Sequence, residues 1–416
     1  MNPRLNICLD ARNVSSEEGG TPTFTLSLAR ALSNLSDGDE QYVFLVQPGD
    51  GPYLERQVQR ELQIIEPTSS TLASYARYFA KHIPLARQSL HRIKSNIGSK
   101  VIESDGTVER NKIDVIHFTT QAGFLTNIPF IYHPHDLQHR HLPDFFTPRQ
   151  RFVRDYTYST LCEHASIVSV VSDWVKRDLL STFNISESKV RIVHFAPTPY
   201  ACMQTDSVTV EAIKQRFALP GKFLFYPAST WPHKNHLRLL EALKMLRDRY
   251  GLTVSLVCSG GQTEFYRTIK AKAEELGVSK QVSFVGFVEF NALSVLYKLC
   301  VGVVIPTLFE AGSFPLWEAF LSERPAACSN VTSLPAQAGD AALIFDPYEV
   351  TDIAEAIRRL WTDSELRSVL VRRGQANVSR YSWDTTARTF RALYRELGKR
   401  PLTEEDKRLL SAPPLM

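Results

Sequence analysis

Short apolar runs alternate along nearly the whole chain with longer stretches whose apolar positions recur every three or four residues. A short continuous run is what a strand covered on both faces requires, and the three-to-four spacing is that of an amphipathic helix. Strands are predicted at Leu5–Leu9, Tyr42–Val46, Asp114–Phe118, Pro129–His133, Ile167–Val171 and Val190–His194, with helices at Phe24–Leu35, Leu72–Lys94, Arg149–Glu163 and Trp174–Thr182. The rhythm resumes with strands at Phe223–Tyr226, Val254–Cys258, Val282–Val285 and Val301–Ile305. Helices follow at Asn235–Tyr250, Glu264–Leu276, Phe290–Lys298, Pro315–Leu321 and Thr351–Thr362. Such alternation predicts an α/β protein whose parallel sheets carry helices on both faces.

Between the two series, Phe195–Asp206 mixes prolines with small polar residues and has no period, which marks a boundary. The expected division is a first domain over 1–200, a second over 201–385, and a C-terminal helix and tail over 386–416 that packs back on the first. Two open parallel sheets facing each other place a ligand cleft at the carboxyl ends of their strands. Functional residues are therefore sought just after strands.

Composition narrows the field. Hydrophobic residues make up 44% and charged residues 22% of 416 positions, ordinary globular usage that excludes wholesale disorder and coiled coil. The balance of 48 basic and 44 acidic residues leaves +4, too mild for a dedicated nucleic-acid binder. No apolar run approaches the roughly 20 residues of a membrane-spanning helix, and MNPRLNICLDAR lacks an apolar signal region, so a cytoplasmic protein is expected. The cysteines Cys8, Cys162, Cys202, Cys258, Cys300 and Cys328 are scattered without a CxxC pair and read as buried reduced thiols.

Two segments carry the chemistry. In VVIPTLFEAGSFPLWEA (Val303–Ala319) a strand runs through a turn into a helix, with Glu310 before the turn and Glu318 one turn inside the helix. Free N–H groups and the helix dipole at Phe314–Pro315 favour an anion, and proline suits the first helical position. Two carboxylates so placed can accept hydrogen bonds from sugar hydroxyls on two sides of one ligand. In LFYPASTWPHKNHLRLL (Leu224–Leu240), Lys234-Asn235 again follows a strand and opens a helix, where a lysine offers three donors and a full charge to a diphosphate.

Together these segments resemble the retaining nucleotide-sugar glycosyltransferases of family four. Glu310 through Glu318 matches the family's Glu-x7-Glu signature and Lys234-Asn235 its Lys-Asn element. Ser329–Pro347 looks like its closing strand–loop segment, Gly19-Gly20 in Asp10–Leu32 like its first glycine loop, and His135-Asp136 like its acceptor-side His-Asp element. The resemblance spans Leu5 to Tyr394 and implies the GT-B fold, two Rossmann-like parallel-sheet domains facing across a central cleft. By position it implies that Glu318 holds the donor ribose, that Glu310 contacts the transferred sugar, and that the backbone at Gly312, Ser313 and Phe314 receives the diphosphate. It further implies that Lys234 neutralises the leaving diphosphate with Asn235 beside it, that Gly286-Phe287 border the nucleobase, and that Gly19 and Gly20 approach the donor from the opposite domain. His135 is expected to be catalytic, with Asp136 on the acceptor side.

The match departs from the family where a second cation is usual: position 228 is alanine, and Arg238, a substitute, is expected to face away. Ala336 replaces the familiar glutamate of the leucine-proline element.

The expected reaction is metal-independent transfer of a hexose, with mannose or a deoxyhexose preferred, from a GDP- or UDP-linked sugar to a glycan or lipid-linked acceptor, with no cofactor. The setting would be cell-surface polysaccharide or glycolipid synthesis. A nucleotide-sugar epimerase or phosphorylase of the same fold and an inactive binding partner are the alternatives; the absence of GxGxxG after the first strand counts against a dehydrogenase. His133, His135, His139 and His141 crowd together, but without ligand partners at recognisable spacing no metal is expected. Pro67–Ile102 holds Arg77, Lys81, Arg87, Arg92, Lys94 and Lys100 and no acid. A helix packed on the first sheet is the preferred reading there, and peripheral contact of residues 72–100 with the inner face of the membrane is the alternative.

Overall fold

The computed structural model describes residues 4–15, 20–67, 101–198 and 205–415. The first glycine of the Gly19-Gly20 pair, Cys202 and the basic helix Leu72–Lys94 lie outside the described residues.

Two wholly parallel sheets form the molecule. The first contains β1 (Leu5–Asp10), β2 (Glu40–Leu45), β3 (Gln63–Ile65), β4 (Val115–Phe118), β5 (Phe130–Tyr132), β6 (Ile167–Val170) and β7 (Val190–Ile192), in the order β3-β2-β1-β4-β5-β6-β7. The second contains β8 (Leu224–Pro227), β9 (Leu256–Ser259), β10 (Val282–Gly286), β11 (Gly302–Ile305), β12 (Ala326–Ser329) and β13 (Ala342–Phe345), in the order β10-β9-β8-β11-β12-β13. Their central strands are buried along their whole length, as sheets covered on both faces require.

Two of these strands carry too little β signal to be read from sequence. β3 has three residues at a sheet edge, and β12 reads Ala-Ala-Cys-Ser. They exist because a neighbouring strand offers its ladder.

Each order reverses about its first strand, β1 beside β4 and β8 beside β11. The crevice at such a reversal opens at the carboxyl ends of the strands. The five described cysteines are buried and free, and burial pushes their thiols up.

The chain crosses to the second sheet after β7 and returns through the helix Trp383–Leu397, which packs on the helix Gly20–Asn34 of the first lobe. Phe390 meets Phe24, and the Tyr394 hydroxyl lies 2.8 Å from His117 Nδ1. Charges pin this return. Arg391 meets Asp37 at 2.5 Å, and Arg395 meets Glu40 at 2.5 Å and Asp406 at 2.8 Å. The side chains of Glu40 and Asp406 are 3% and 1% exposed, so neither carboxylate has water to fall back on. Removing one partner of a buried pair leaves an uncompensated charge. Arg395→Ala should therefore cost about 3–5 kcal/mol in urea unfolding. Arg388→Ala, whose partners Asp37, Asp384 and Glu405 are all more than a third exposed, should cost less than about 1 kcal/mol. Equal effects would contradict the assignment.

Candidate active site

Strand β8 ends in a loop and a short 3-10 turn, Pro232–Lys234, before the helix His236–Tyr250. Asn235 joins turn to helix with φ 60°, a left-handed conformation that asparagine tolerates better than most residues. Its amide donates to Pro306 O (2.9 Å) and Pro347 O (2.8 Å), and its Oδ1 accepts from Arg238 (3.2 Å). The expectation that Asn235 binds the donor therefore meets a side chain already committed to three protein groups. It locks the loops after β11 and β13 to the loop after β8, and Tyr226 OH donates to Lys234 O (2.8 Å) to hold the turn from beneath.

So held, Lys234 Nζ lies 2.6 Å from Glu310 Oε2, with the two side chains 20% and 18% exposed. The pair is accessible, so an anion can compete for the ammonium.

After β11 the chain reaches Ser313, which caps the helix Phe314–Leu321 by accepting from Leu316 N–H. Ser313 N–H donates to Gln337 Oε1 (2.9 Å), and Gln337 returns a bond to Ser313 O (2.7 Å). That removes Ser313 N–H from the donors expected to receive a diphosphate. Thr332 accepts from Glu310 N–H (3.2 Å), and Ser333 donates to Glu310 O (3.0 Å). Gln337, one position beyond Ala336, is thus a clamp that motif reading passed over. Its signal was a polar residue just inside the leucine-proline helix.

Gly312 also has a different reason for being glycine. A Cβ there would lie 3.3 Å from Val171 of the first lobe, and one on Gly20 would lie 3.4 Å from the Phe314 ring. Both glycines let the lobes touch.

Glu318 is 6% exposed, and both its oxygens are taken. Thr198 Oγ1 donates to one (2.6 Å) and Tyr297 OH to the other (2.8 Å). Burial pushes its carboxyl up, against the pull of these two donors. Thr198 belongs to the crossing between the lobes and Tyr297 to the helix Phe290–Leu299, and no motif pointed to either.

Across the gap, His135 follows β5 with φ 64° and holds Thr119 O with Nε2 (2.8 Å). A carbonyl accepts, so Nε2 carries the proton and Nδ1 the lone pair. Burial lowers its pKa to about 4, so the ring is neutral at pH 7. Asp136 Oδ1 accepts from Gln138 N–H (2.9 Å). Burial, and after it the charge of Glu310, raises its carboxyl, with Arg154 opposing. Asp136 and Glu310 therefore share one electrostatic neighbourhood. Of the other crowded histidines, His139 pairs with Asp155 and His141 with Asp178, while His133 stays beside His135, ring centroids 4.3 Å apart, buried against Phe24 and Phe195.

Gly286, at φ 73°, and the exposed Phe287 end edge strand β10. Among the described residues no hydrogen bond, ion pair or ring contact joins them to Lys234, Glu310 or Glu318. Arg238 leans over the Tyr348 ring and lines a hollow of about 560 Å³ between the lobes, with Leu142, Phe145 and Leu308. It faces the gap and not away from it. A second hollow, of about 580 Å³, lies between His194, the helix Trp383–Leu397 and the tail at Leu415, and none of the candidate site residues lines it.

Residues 18–195 match the family profile described as Glycosyltransferase Family 4, and residues 209–377 match the one described as Glycosyl transferases group 1. The O-antigen chain mannosyltransferase B of Escherichia coli is 26% identical over 63% of this chain and 65% of its own length. The serotype-specific mannosyltransferase WbdA of Escherichia coli is 27% identical over 54% of this chain and 28% of its own length. The chain thus spans about a quarter of one curated relative and just under two thirds of the other. The structure of sucrose-phosphate synthase from Thermosynechococcus elongatus superposes with a TM-score of 0.70 at 16% identity, covering 95% of this chain and 99% of that one. Anabaena HepE in complex with UDP-glucose does so with 0.70 at 16%, covering 94% and 100%. These likenesses establish the GT-B fold.

The buried imidazoles set an acid limit on the molecule. Burial lowers His117 to about 3 and His135 to about 4, while an unfolded histidine titrates near 6.5. Between those values the unfolded chain binds more protons, so stability is whole above pH 7 and falls as pH drops through 6.5 towards 4. Fully buried His117 alone should account for about 2 kcal/mol at pH 5. The Tm should be lower at pH 5 than at pH 7.5, and His117→Gln should shrink that difference. An unchanged pH dependence in the variant would refute the assignment.

Proposed function

We propose, for a chain that belongs to glycosyltransferase family four, that it moves a hexose from a nucleoside diphosphate sugar to a hydroxyl of a glycan or lipid-linked acceptor. The observation that carries this is the accessible Lys234–Glu310 pair at the strand ends of one lobe, whose carboxylate acts on the charge of Asp136 of the other. Without donor, Glu310 neutralises the ammonium. A diphosphate takes that ammonium over and frees the carboxylate for hydroxyls of the sugar. As the bond to the sugar breaks, Lys234 meets the charge growing on the leaving diphosphate. Neutral His135 offers Nδ1 to a hydroxyl of sugar or acceptor.

Mannose is the preferred sugar, a preference supported by the names of the two mannosyltransferase relatives, and a GDP-linked donor is the preferred carrier. Retention of configuration by a front-face route, independence of metal, and a place in cell-surface polysaccharide or glycolipid synthesis belong to the same proposal. Lysine and backbone dipoles supply the neutralisation that a metal would otherwise provide. Gly20, Gly312 and Phe314 border the donor in this reading, and Glu318 holds its ribose after exchanging Thr198 for a ribose hydroxyl. A silent binding partner is the second reading, and the fully occupied Glu318 favours it.

Purified protein incubated with GDP- and UDP-sugars should release the nucleoside diphosphate, with turnover surviving EDTA, and Lys234→Ala should lower release by about 10²–10³-fold. Full turnover in the variant would remove Lys234 from the mechanism, and no release with any donor would support the silent partner. Thr198→Val leaves Glu318 one donor short before the ligand arrives, so nucleotide should bind about tenfold tighter. Calorimetric titration with GDP and UDP checks this, and unchanged affinity would mean that Thr198 does not guard the ribose site.

A further inference from the structure

On the helix Pro148–His164, positions 149, 152, 153 and 156 share one face at the i, i+3, i+4, i+7 spacing that ordinarily turns to a core. The core lies on the other side, where Tyr158, Leu161 and Cys162 are buried. The stripe faces solvent instead: Phe152 is 60% exposed, Tyr156 39% and Val153 36%, and the Phe152 and Tyr156 rings stack 6.4 Å apart. Phe145, 41% exposed, stands in the turn before this helix. The helix therefore carries a second apolar stripe that nothing among the described residues covers.

From Phe145 to Arg154 the chain holds Arg149, Arg151 and Arg154 and no carboxylate. Among the described residues none of the three has an ion-pair partner. Asp155, the next acid along the chain, is taken by His139 and Arg140. Arg154 sits over the Phe146 ring and Arg151 is half-buried, which leaves the exposed Arg149 as the unpaired guanidinium beside the stripe. Aromatic rings with such a cation at their edge match the boundary of an anionic bilayer, where rings sit at headgroup depth and cations meet phosphates. Phe145 also lines the hollow between the lobes, so this face runs into the mouth of the site.

We propose that the Phe152–Tyr156 face docks on an anionic lipid bilayer, with the helix lying in the plane of the headgroups and Arg149 against their phosphates. The face is distinct from the basic run 72–100, which lies outside the described residues. The inference does not depend on the reaction proposed above.

Vesicle co-sedimentation of the full chain tests it, with phosphatidylcholine alone and with about a third phosphatidylglycerol. The wild type should sediment with the anionic vesicles, less so at high salt, and not with the neutral ones. The double variant Phe152→Ser/Tyr156→Ser should bind at least about tenfold more weakly, and Arg149→Glu should weaken binding without touching an apolar group. Unchanged thermal melts keep misfolding out of the comparison, since all three side chains face solvent. Absence of wild-type binding, or full binding by the double variant, overturns the proposal. So does sedimentation velocity showing a dimer that the double variant dissolves, because the face would then belong to a second copy.

Discussion

One side-chain amide holds the second lobe's working edge together. Asn235 reaches the carbonyls of Pro306 and Pro347 with its two N–H groups and takes Arg238 on its oxygen, so three loops after three parallel strands move as one body. The residue before it, Lys234, is thereby fixed beside Glu310. Parallel strands deliver their loops to the same edge but do not bind those loops to one another. A buried amide whose N–H groups and oxygen are all used supplies that bond, and it confers rigidity because each group left unpaired would cost free energy.

The lobes meet through a second device, an aromatic stack centred on the crossing segment. Phe195 lies 4.2 Å from Phe24 of the first lobe, 5.9 Å from Phe314 at the start of the site helix and 6.4 Å from Trp383 of the returning helix. The outgoing segment and the returning helix both meet at this ring. Apolar stacking without directional bonds tolerates small rotations, whereas the buried Arg395 pairs on the return helix do not. The joint thus combines a forgiving contact near the cleft with a stiff one far from it.

Glu318 shows what this closeness costs. A carboxylate at 6% exposure survives because Thr198 and Tyr297 hydrogen-bond both oxygens, and Thr198 comes from the segment that crosses between lobes. The same carboxylate is where a donor's ribose is proposed to bind, so ligand binding and the position of the crossing segment compete for one group. Gly312 against Val171 and Gly20 against Phe314 are further signs that the lobes stand in contact.

Much of this was legible in the residues alone. Alternating periods announced two α/β units, and the Glu310–Glu318 and Lys234 spacings placed carboxylates and a cation at strand ends, because those features are local and period and offset encode them. β3 and β12 were not legible, since a weak strand is stabilised by the neighbour it pairs with and not by its own composition. Nor were the roles of Asn235, Gln337, Thr198 and Tyr297, each of which bonds a group at least 21 positions away along the chain. Sequence determined which chemistries are present and on which strand ends they ride. Tertiary structure alone decided which of those groups are free and which are already spent on one another, because hydrogen-bond satisfaction in a buried joint depends on distances that no spacing along the chain records.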